Sequence, residues 1–332
     1  MKLGFYFLFM GVLLGCQTSN HPPKWIANPY SIYPENKFLV SVGEGDTRRS
    51  AENAADANLA RIFGAQIESS ERVFDQSIET IKTFERTTDF STDINIHSSQ
   101  MLYNINHAEA WQDSKGRIHA VAFLNRRKTA EIYCEKIDTL ANKVQFYIAQ
   151  SATEKSLLKK YAALRVAARK ANEVSSLLRQ LKTIHAPSME SARPGYNVNT
   201  IQKELAETAK KIRVQIHLSG DVEERMETVL EEIVSHYGFV LGHTPLLKID
   251  GKITVANTKQ RTGNLVFVRY TFSIHFKTSD GTTLLTLHEK GREGHVSFEE
   301  ARVRVFRTLE QRIRPKVIQQ MDAHLDALIV PE

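Results

Sequence analysis

Cysteine is almost missing: 332 residues contain two, Cys16 and Cys134. A disulfide framework of the kind that staples small secreted domains is excluded, so the fold must stand on hydrophobic cores. No apolar run reaches the ~20 residues that cross a bilayer as a helix. The run that opens the chain covers residues 3–14 and stops well short of that length. A charge excess of one sign is lacking as well. Lys and Arg number 44 against 38 Asp and Glu, a formal +6 that falls by one if Lys2 is removed, and the two signs are mixed along the chain. Without a basic block like a nucleic-acid-binding arm, nucleic acid is not an expected partner. At 42% hydrophobic residues the chain can fill sizeable cores, and its length suggests about two domains.

What is present begins at the N-terminus. Lys2 precedes an uncharged apolar segment that ends in Leu13-Leu14-Gly15-Cys16. The segment has the ~7–15 residues of a secretory signal. Its last four residues resemble a lipobox, which implies cleavage between Gly15 and Cys16 and acylation of Cys16 by a diacylglycerol and an N-acyl chain. Membrane lipid is thus the first expected partner, since two or three acyl chains anchor stably where one does not. Gln17-Thr18-Ser19-Asn20-His21-Pro22-Pro23 has the composition of a flexible tether. Gln17 resembles the outer-membrane sorting choice of enteric bacteria, so the expected location is the outer membrane, facing the periplasm. Cys134, in the helical-looking Thr129-Ala130-Glu131-Ile132-Tyr133-Cys134, reads as a small packed hydrophobe and not a nucleophile.

The spacing predicts an α+β fold: two small helix-on-antiparallel-sheet domains joined by a long helical segment. After a signal peptide (1–15) and a lipidated tether (16–24), the first domain covers 25–125. It contains a strand at Phe38-Leu39-Val40-Ser41-Val42 and a Gly43-Glu44-Gly45 turn. A helix capped by Asp46 or Thr47 follows, with Ala51, Ala54, Ala55, Leu59 and Ile62 on one face, and its alanines imply close packing on a sheet. Alternation then predicts strands around Ile94 and Ile96, from Tyr103 through Ile105 and His107 to Trp111, and from Ile118 to Leu124, the last preceded by an Asp113-Ser114-Lys115-Gly116 turn. Residues 126–200 form a helical spacer, as hairpin or rod, with Ser151-Ala152-Thr153 as a cap and an exposed loop from His185-Ala186-Pro187 to Arg193-Pro194-Gly195.

The second domain, 201–330, has a helix, a strand at Arg213-Val214-Gln215-Ile216-His217-Leu218, and a helix opened by an Asp221/Glu224 capping box and closed by Gly238. Strands follow at Leu247 to Val255, Val266 to Phe276 and Leu285 to Leu287, with Asp280-Gly281 joining the last two. A final helix starts at Ser297-Phe298-Glu299-Glu300 and is expected to break or kink at Pro315. A faint echo links the domains. Gly43-Glu44-Gly45 precedes Ser50-Ala51-Glu52-Asn53-Ala54, and Gly291-Arg292-Glu293-Gly294 precedes Ser297-Phe298-Glu299-Glu300-Ala301, each read as glycine turn then helix.

Pro23-Lys24-Trp25 with Pro29, the segment Phe38 to Gly45, the helix Ser50-Ala51-Glu52-Asn53-Ala54-Ala55-Asp56-Ala57 and the following Ala60-Arg61-Ile62-Phe63-Gly64-Ala65-Gln66-Ile67 resemble the Lpp-twenty lipoprotein family. That family is related to the N-terminal domain of a flagellar outer-ring protein. The resemblance covers about a third of the chain and implies an envelope lipoprotein domain with no catalytic residues to carry over. The order of elements in the last third is similar to small domains of periplasmic activators of penicillin-binding proteins.

Little in the sequence points to chemistry. Gly43-Glu44-Gly45 lacks the third glycine of a dinucleotide fingerprint, having Arg48 there, and Glu44 and Asp46 would repel phosphate. The twelve histidines include no His-Glu-x-x-His pair, His288-Glu289 lacking its second histidine, and His119, His217, His275 and His288 sit in alternating strands as ordinary exposed or hydrogen-bonded residues. Glu68 and Glu71 have no spacing that demands acid–base work, and Glu207 with Lys211 is a solvated helix pair. Trp25, Tyr30 and Tyr33 are expected to lie as a lid on the first sheet. No catalytic, cofactor or metal residue is therefore assigned. The expected function is a non-catalytic envelope module with a protein partner; the alternatives are an activator of cell-wall synthesis, a hydrolase of envelope polymers and a carrier of a small apolar ligand.

Overall fold

A computed structural model describes residues 21–78 and 102–329. Gly15, Cys16, the signal and most of the tether lie outside the described residues, as do the predicted strands at Ile94 and Ile96. The chain divides into two compact units: one holds residues 21–78, 102–132 and Thr183–His185, the other Tyr133–Lys182 and 186–329. The fold is α+β, with helices and sheets in separate stretches of each.

In the first unit a short helix α1 (Lys24–Ala27) and a single 3-10 turn (Pro29–Ser31) lead to β1 (Phe38–Gly45) and the long helix α2 (Arg48–Ile78). Strands β2 (Asn106–His107) and β3 (Trp111–Gln112) are two residues each, and β4 (Ile118–Asn125) pairs antiparallel with β1, β2 and β3. The alternation from Tyr103 to Trp111 thus gives two short pairings and not one strand, separated by residues 108–110, and Asn104, just before the first of them, takes a positive φ. Gly43-Glu44-Gly45 is strand, not turn: it pairs with Ala120, His119 and Ile118. The chain bends only at Asp46 and Thr47.

Alternation divides β1 and β4 between two cores. Leu39, Ser41 and Gly43, with Ala120, Ala122 and Leu124 opposite, share one face, and the small residues let α2 approach closely. The helix presents a strict every-fourth stripe of Ala51, Ala55, Leu59, Phe63 and Ile67; Ala54 and Ile62 flank it half-buried. Ser41 Oγ donates to the Ala55 carbonyl (2.6 Å) and Asn58 Nδ2 to the Val42 carbonyl (2.8 Å). On the other face Val40 and Val121 are covered by Trp25. Glu68 and Glu71 both fall within α2.

In the second unit α3 (Arg126–Thr153, its first turns belonging to the first unit) and α4 (Leu157–Ser191) form an antiparallel hairpin. Val144 and Tyr147 pack on Val166, Ala167, Ala168 and Ala171, while Tyr133 Oη donates to Gln180 Oε1 (2.9 Å) near the open end. The break falls later than expected. Ser151 and Thr153 bond back to carbonyls inside α3, and Ser156 is the residue whose hydroxyl caps α4. The predicted loop from His185 is largely helix: only His185 leaves helical backbone, and the chain rewinds through Pro187 to Ser191, because a proline in the first turn forfeits no bond. The start of α4 is no bare connector, since Leu158, Tyr161 and Ala162 enter the unit's main core.

Helix α5 (Val198–Lys211) leads to β5 (Arg213–Ser219), then α6 (Arg225–His236), β6 (Val240–Leu241), β7 (Leu247–Thr262), β8 (Leu265–Thr278), β9 (Thr283–His295) and α7 (Phe298–Ala327). The sheet order is β6-β5-β7-β8-β9. It departs from the all-antiparallel expectation at β5, which runs parallel to β6 and β7. A helical connection between β5 and β7 permits that pairing. No capping box joins Asp221 and Glu224. Glu223 and Glu224 take positive φ, α6 starts at Arg225, and Asp221 Oδ2 accepts from the Glu227 amide at 2.8 Å. Gly238, at φ +71°, ends α6 as expected; its amide bonds to the Ser235 carbonyl and that of Phe239 to Val234.

Gly291-Arg292-Glu293-Gly294 is also strand: β9 runs through it to His295, and the absent side chains make room for Tyr270 and Phe267 of β8. Helix α7 passes Pro315 unbroken. The proline is exposed, and Ala301, Val305, Leu309, Ile313, Val317, Met321 and Leu325 bury one stripe across it. The Ser-x-Glu-x-Ala echo is out of register with the structure. Ser297 is the N-cap of α7, but Ser50 is the third residue of α2, whose cap is Thr47. By capping, Ala51 corresponds to Ala301, where the sequence echo aligns Ala54 with Ala301.

Candidate functional site

Helices α6 and α7 cover one face of the five-stranded sheet, through Val214, Leu247, Ile249, Ile253, Val268, Tyr270, Phe272, Ile274, Phe276, Leu285 and Leu287. The alternate residues point the other way and are exposed or half-exposed. The register arranges them in cross-strand rows. Lys248 lies opposite Lys277; His217, Asp250, His275 and Thr286 form the next row; Lys252, Ser273 and His288 the next; then Thr254, Thr271 and Lys290; then Ala256, Arg269 and Arg292.

This open face brings together three of the four histidines noted in the sequence. The His275 and His288 rings meet edge to face at 5.7 Å, and His275 Nδ1 is 3.0 Å from Thr286 Oγ1. Among the described residues no three His, Cys, Asp or Glu converge as a metal would require. His119 lies in the first unit, beside Trp111 and 3.6 Å from Asp113.

Charge is sorted by face along β9. Glu289 and Glu293 turn inward, to ion pairs with Lys316 and Arg304 of α7. Lys290 and Arg292 turn outward, with the Arg292 guanidinium stacked 4.0 Å from the centre of the Phe267 ring. On β7, β8 and β9 the open face therefore holds Lys248, Lys252, Arg269, Lys277, Lys290 and Arg292, with Arg213 on β5 besides, against one carboxylate among the described residues, that of Asp250. Two of its rows set like charges directly opposite, Lys248 with Lys277 and Arg269 with Arg292, an arrangement that destabilises a sheet in isolation. Hydroxyls of Thr254, Thr271, Ser273 and Thr286 stand between the cations. Such a surface can donate hydrogen bonds and positive charge to spread-out anions.

The other cluster of titratable groups is structural. Tyr161 Oη donates to the Tyr237 carbonyl (3.0 Å), Tyr237 Oη to Asp322 Oδ1 (2.8 Å), and Arg165 holds the same carboxylate at 2.6 Å. Burial, then the hydrogen bond to Asp322, pushes the Tyr237 phenol far above its ordinary range, so it stays a donor. Glu44 pairs with Arg117 at 2.8 Å on the surface. Cys134 is half-buried on α3. Trp25 and Tyr33 do form the lid, Tyr33 stacking on Phe123 at 4.6 Å, but Tyr30 remains exposed.

Sequence reading missed this face because two glycines in 291–294 were taken for a turn, which cut β9 to three residues. The apolar alternation ends at Leu287, because the inward positions beyond it are Glu289, Gly291 and Glu293, so no period-two signal marks the rest of β9 in sequence.

Comparison with protein-family models and with curated proteins found no match. Among solved structures the chain is similar to the secreted protein HP1454 from Helicobacter pylori, at 12% identity over 76% of this chain and 86% of that one, with a TM-score of 0.41. It is also similar to a minor lipoprotein from Acinetobacter baumannii, at 13% identity over 36% of this chain and 92% of that one, with a TM-score of 0.23. Likeness at this level carries no argument about function.

Proposed function

We propose that this protein is a lipid-anchored, non-catalytic module of the cell envelope that helps assemble or stabilise an outer-membrane-linked complex, the flagellar outer ring being the example suggested by the resemblance of its first third. The lipobox at Leu13-Leu14-Gly15-Cys16 supplies the anchor in this reading. The observation that carries the rest is β9. It ends the second sheet as a 13-residue strand whose outer backbone row has no neighbour among the described residues. A long edge on a helix-backed sheet is rigid and can accept a strand from a partner protein, with alternate side chains giving specificity.

The test is cross-linking in native cells, followed by envelope solubilisation and identification of proteins that co-purify with the wild type but not with Cys16→Ala. A reproducible envelope partner that is lost when Cys16 is replaced supports the reading. Normal anchoring with no partner refutes it.

A further inference from the structure

The bare face of the second sheet is rich in cations that the fold leaves unpaired. Six cations on β7, β8 and β9, namely Lys248, Lys252, Arg269, Lys277, Lys290 and Arg292, have no ionic partner among the described residues, and the face offers one described carboxylate, Asp250, against them. On α7 four of the six cations, Arg302, Arg304, Arg314 and Lys316, have a carboxylate partner, and Arg307 and Arg312 have none among the described residues. Two like-charge pairs, Lys248 with Lys277 and Arg269 with Arg292, lie directly opposite in register. An external anion removes that repulsion; nothing within the described residues does.

The layout selects among anions. The two like-charge pairs stand eight residues apart along β8, so the cations form a ribbon ~27 Å long and ~10 Å wide, at the usual strand rise and spacing. The cations are spread over rows that run the length of β8, a layout suited to several anionic groups and not to a single bound phosphate. A protein interface would carry an apolar or aromatic centre. The aromatic ring on the ribbon, Phe267, is capped by Arg292. Spread cations separated by hydroxyls, with apolar side chains confined to one end of β8 at Leu265 and Phe267, match a field of phosphate headgroups.

We propose that the open face of β5, β7, β8 and β9 lies against an anionic phospholipid surface, giving the protein a second, electrostatic contact with membrane. The inference rests on the envelope reading only for where protein and bilayer meet. A polybasic surface of this kind binds membranes with about a five-fold gain in partition per cation near the headgroups.

The experiment uses the chain from residue 16 with Cys16→Ala, so that no acyl chain contributes, and sedimentation with vesicles of phosphatidylcholine alone or mixed with phosphatidylglycerol. The expected result is partition onto the mixed vesicles only, weakened by salt. The Lys248→Gln/Lys252→Gln/Lys277→Gln variant should lose ~100-fold. Arg127→Gln/Lys155→Gln/Lys159→Gln, the same change in net charge on the helical hairpin, should lose little, and circular dichroism checks that both variants fold. Equal partition onto both vesicle types, equal losses in the two variants, or competition by inorganic phosphate beyond that of chloride at equal ionic strength each overturns the proposal. An acidic protein captured through the face, with no vesicle binding, does so too. Vesicle binding by a chain that cells never acylate would sink the lipoprotein reading and leave this one standing; a partner found by cross-linking with no vesicle binding would do the reverse.

Discussion

Replacing Gly43 by alanine tests the packing of the first unit at its tightest point. A methyl group at this position would stand 2.1 Å from the Ala55 amide nitrogen, 2.4 Å from the Ala51 carbonyl oxygen and 2.7 Å from the Ala54 carbonyl carbon. All three are backbone atoms of α2, so no side chain can swing aside. Ordinary contact begins near 3.4 Å, and α2 must therefore back away by about 1.3 Å. That movement strains the two bonds tying the helix to β1, Ser41 to Ala55 and Asn58 to Val42. Overpacking costs ~1–3 kcal/mol and each weakened bond up to ~1, so the loss should be about 2–4 kcal/mol. Both tryptophans, Trp25 and Trp111, belong to the first unit, so tryptophan fluorescence during urea unfolding follows that unit alone. At ~1–3 kcal/mol per molar urea, the midpoint should fall by about 1–2 M. Because the clash is with backbone, Ala55→Gly in the same chain should give no rescue. A midpoint that hardly moves, or full rescue by Ala55→Gly, would refute the reasoning.

Three further outcomes are expected, all in the second unit and read by circular dichroism. Tyr237→Phe removes the hydrogen bond to Asp322 but leaves that carboxylate on Arg165, so it should cost ~1–2 kcal/mol; a neutral result would mean the phenol is not a committed donor. Burial pushes the His324 imidazole below its usual value of 6.5, and its Nε2 has no partner among the described residues. The unfolded chain then binds the proton more readily, so this contribution to stability is whole above about pH 6.5 and is lost as the pH falls through the lower folded value. His324→Leu should flatten the melting temperature over that window, and an unchanged slope would count against it. Pro315→Ala restores a donor in the middle of an exposed helical turn and should stabilise by about 1–2 kcal/mol, the helix gain being offset in part by a looser unfolded chain; a destabilised variant would show that α7 needs the proline.

The elements legible in sequence were those where one period ran uninterrupted. The alanine spacing of α2 announced both the helix and its close approach to the sheet, and the alternation of β5, β7 and β8 announced their inner faces. Punctuating residues misled wherever tertiary packing used them for something else. Gly43 and Gly45 are small so that α2 fits against β1, and Gly291 and Gly294 are small so that Tyr270 and Phe267 fit, yet in sequence each pair looks like a turn. Pro315 looks like a stop, but seven buried residues spanning it hold α7 together. The parallel pairing of β5 depends on where α6 returns the chain, which no local pattern records. The candidate face was invisible for a related reason: its cations lie on separate strands and become neighbours only once the register is set.

In β9 the outward Lys290 and Arg292 alternate with the inward Glu289 and Glu293, which α7 neutralises. A slip of one residue would bury the cations and expose the acids, so the inward acids alone suffice to fix the strand. Folding has no use for the outward charge, and at Lys277 and Arg269 that charge faces another cation. Replacing both by threonine should raise stability by ~0.2–1 kcal/mol per site, since a like-charge pair is removed and a residue suited to strands is added. The same variant should release the protein from anionic vesicles. Gain of stability together with loss of binding is what a face kept for an external anion predicts. If the threonine variant instead melts earlier, the cations contribute to the fold itself, and the case for an occupant fails with them.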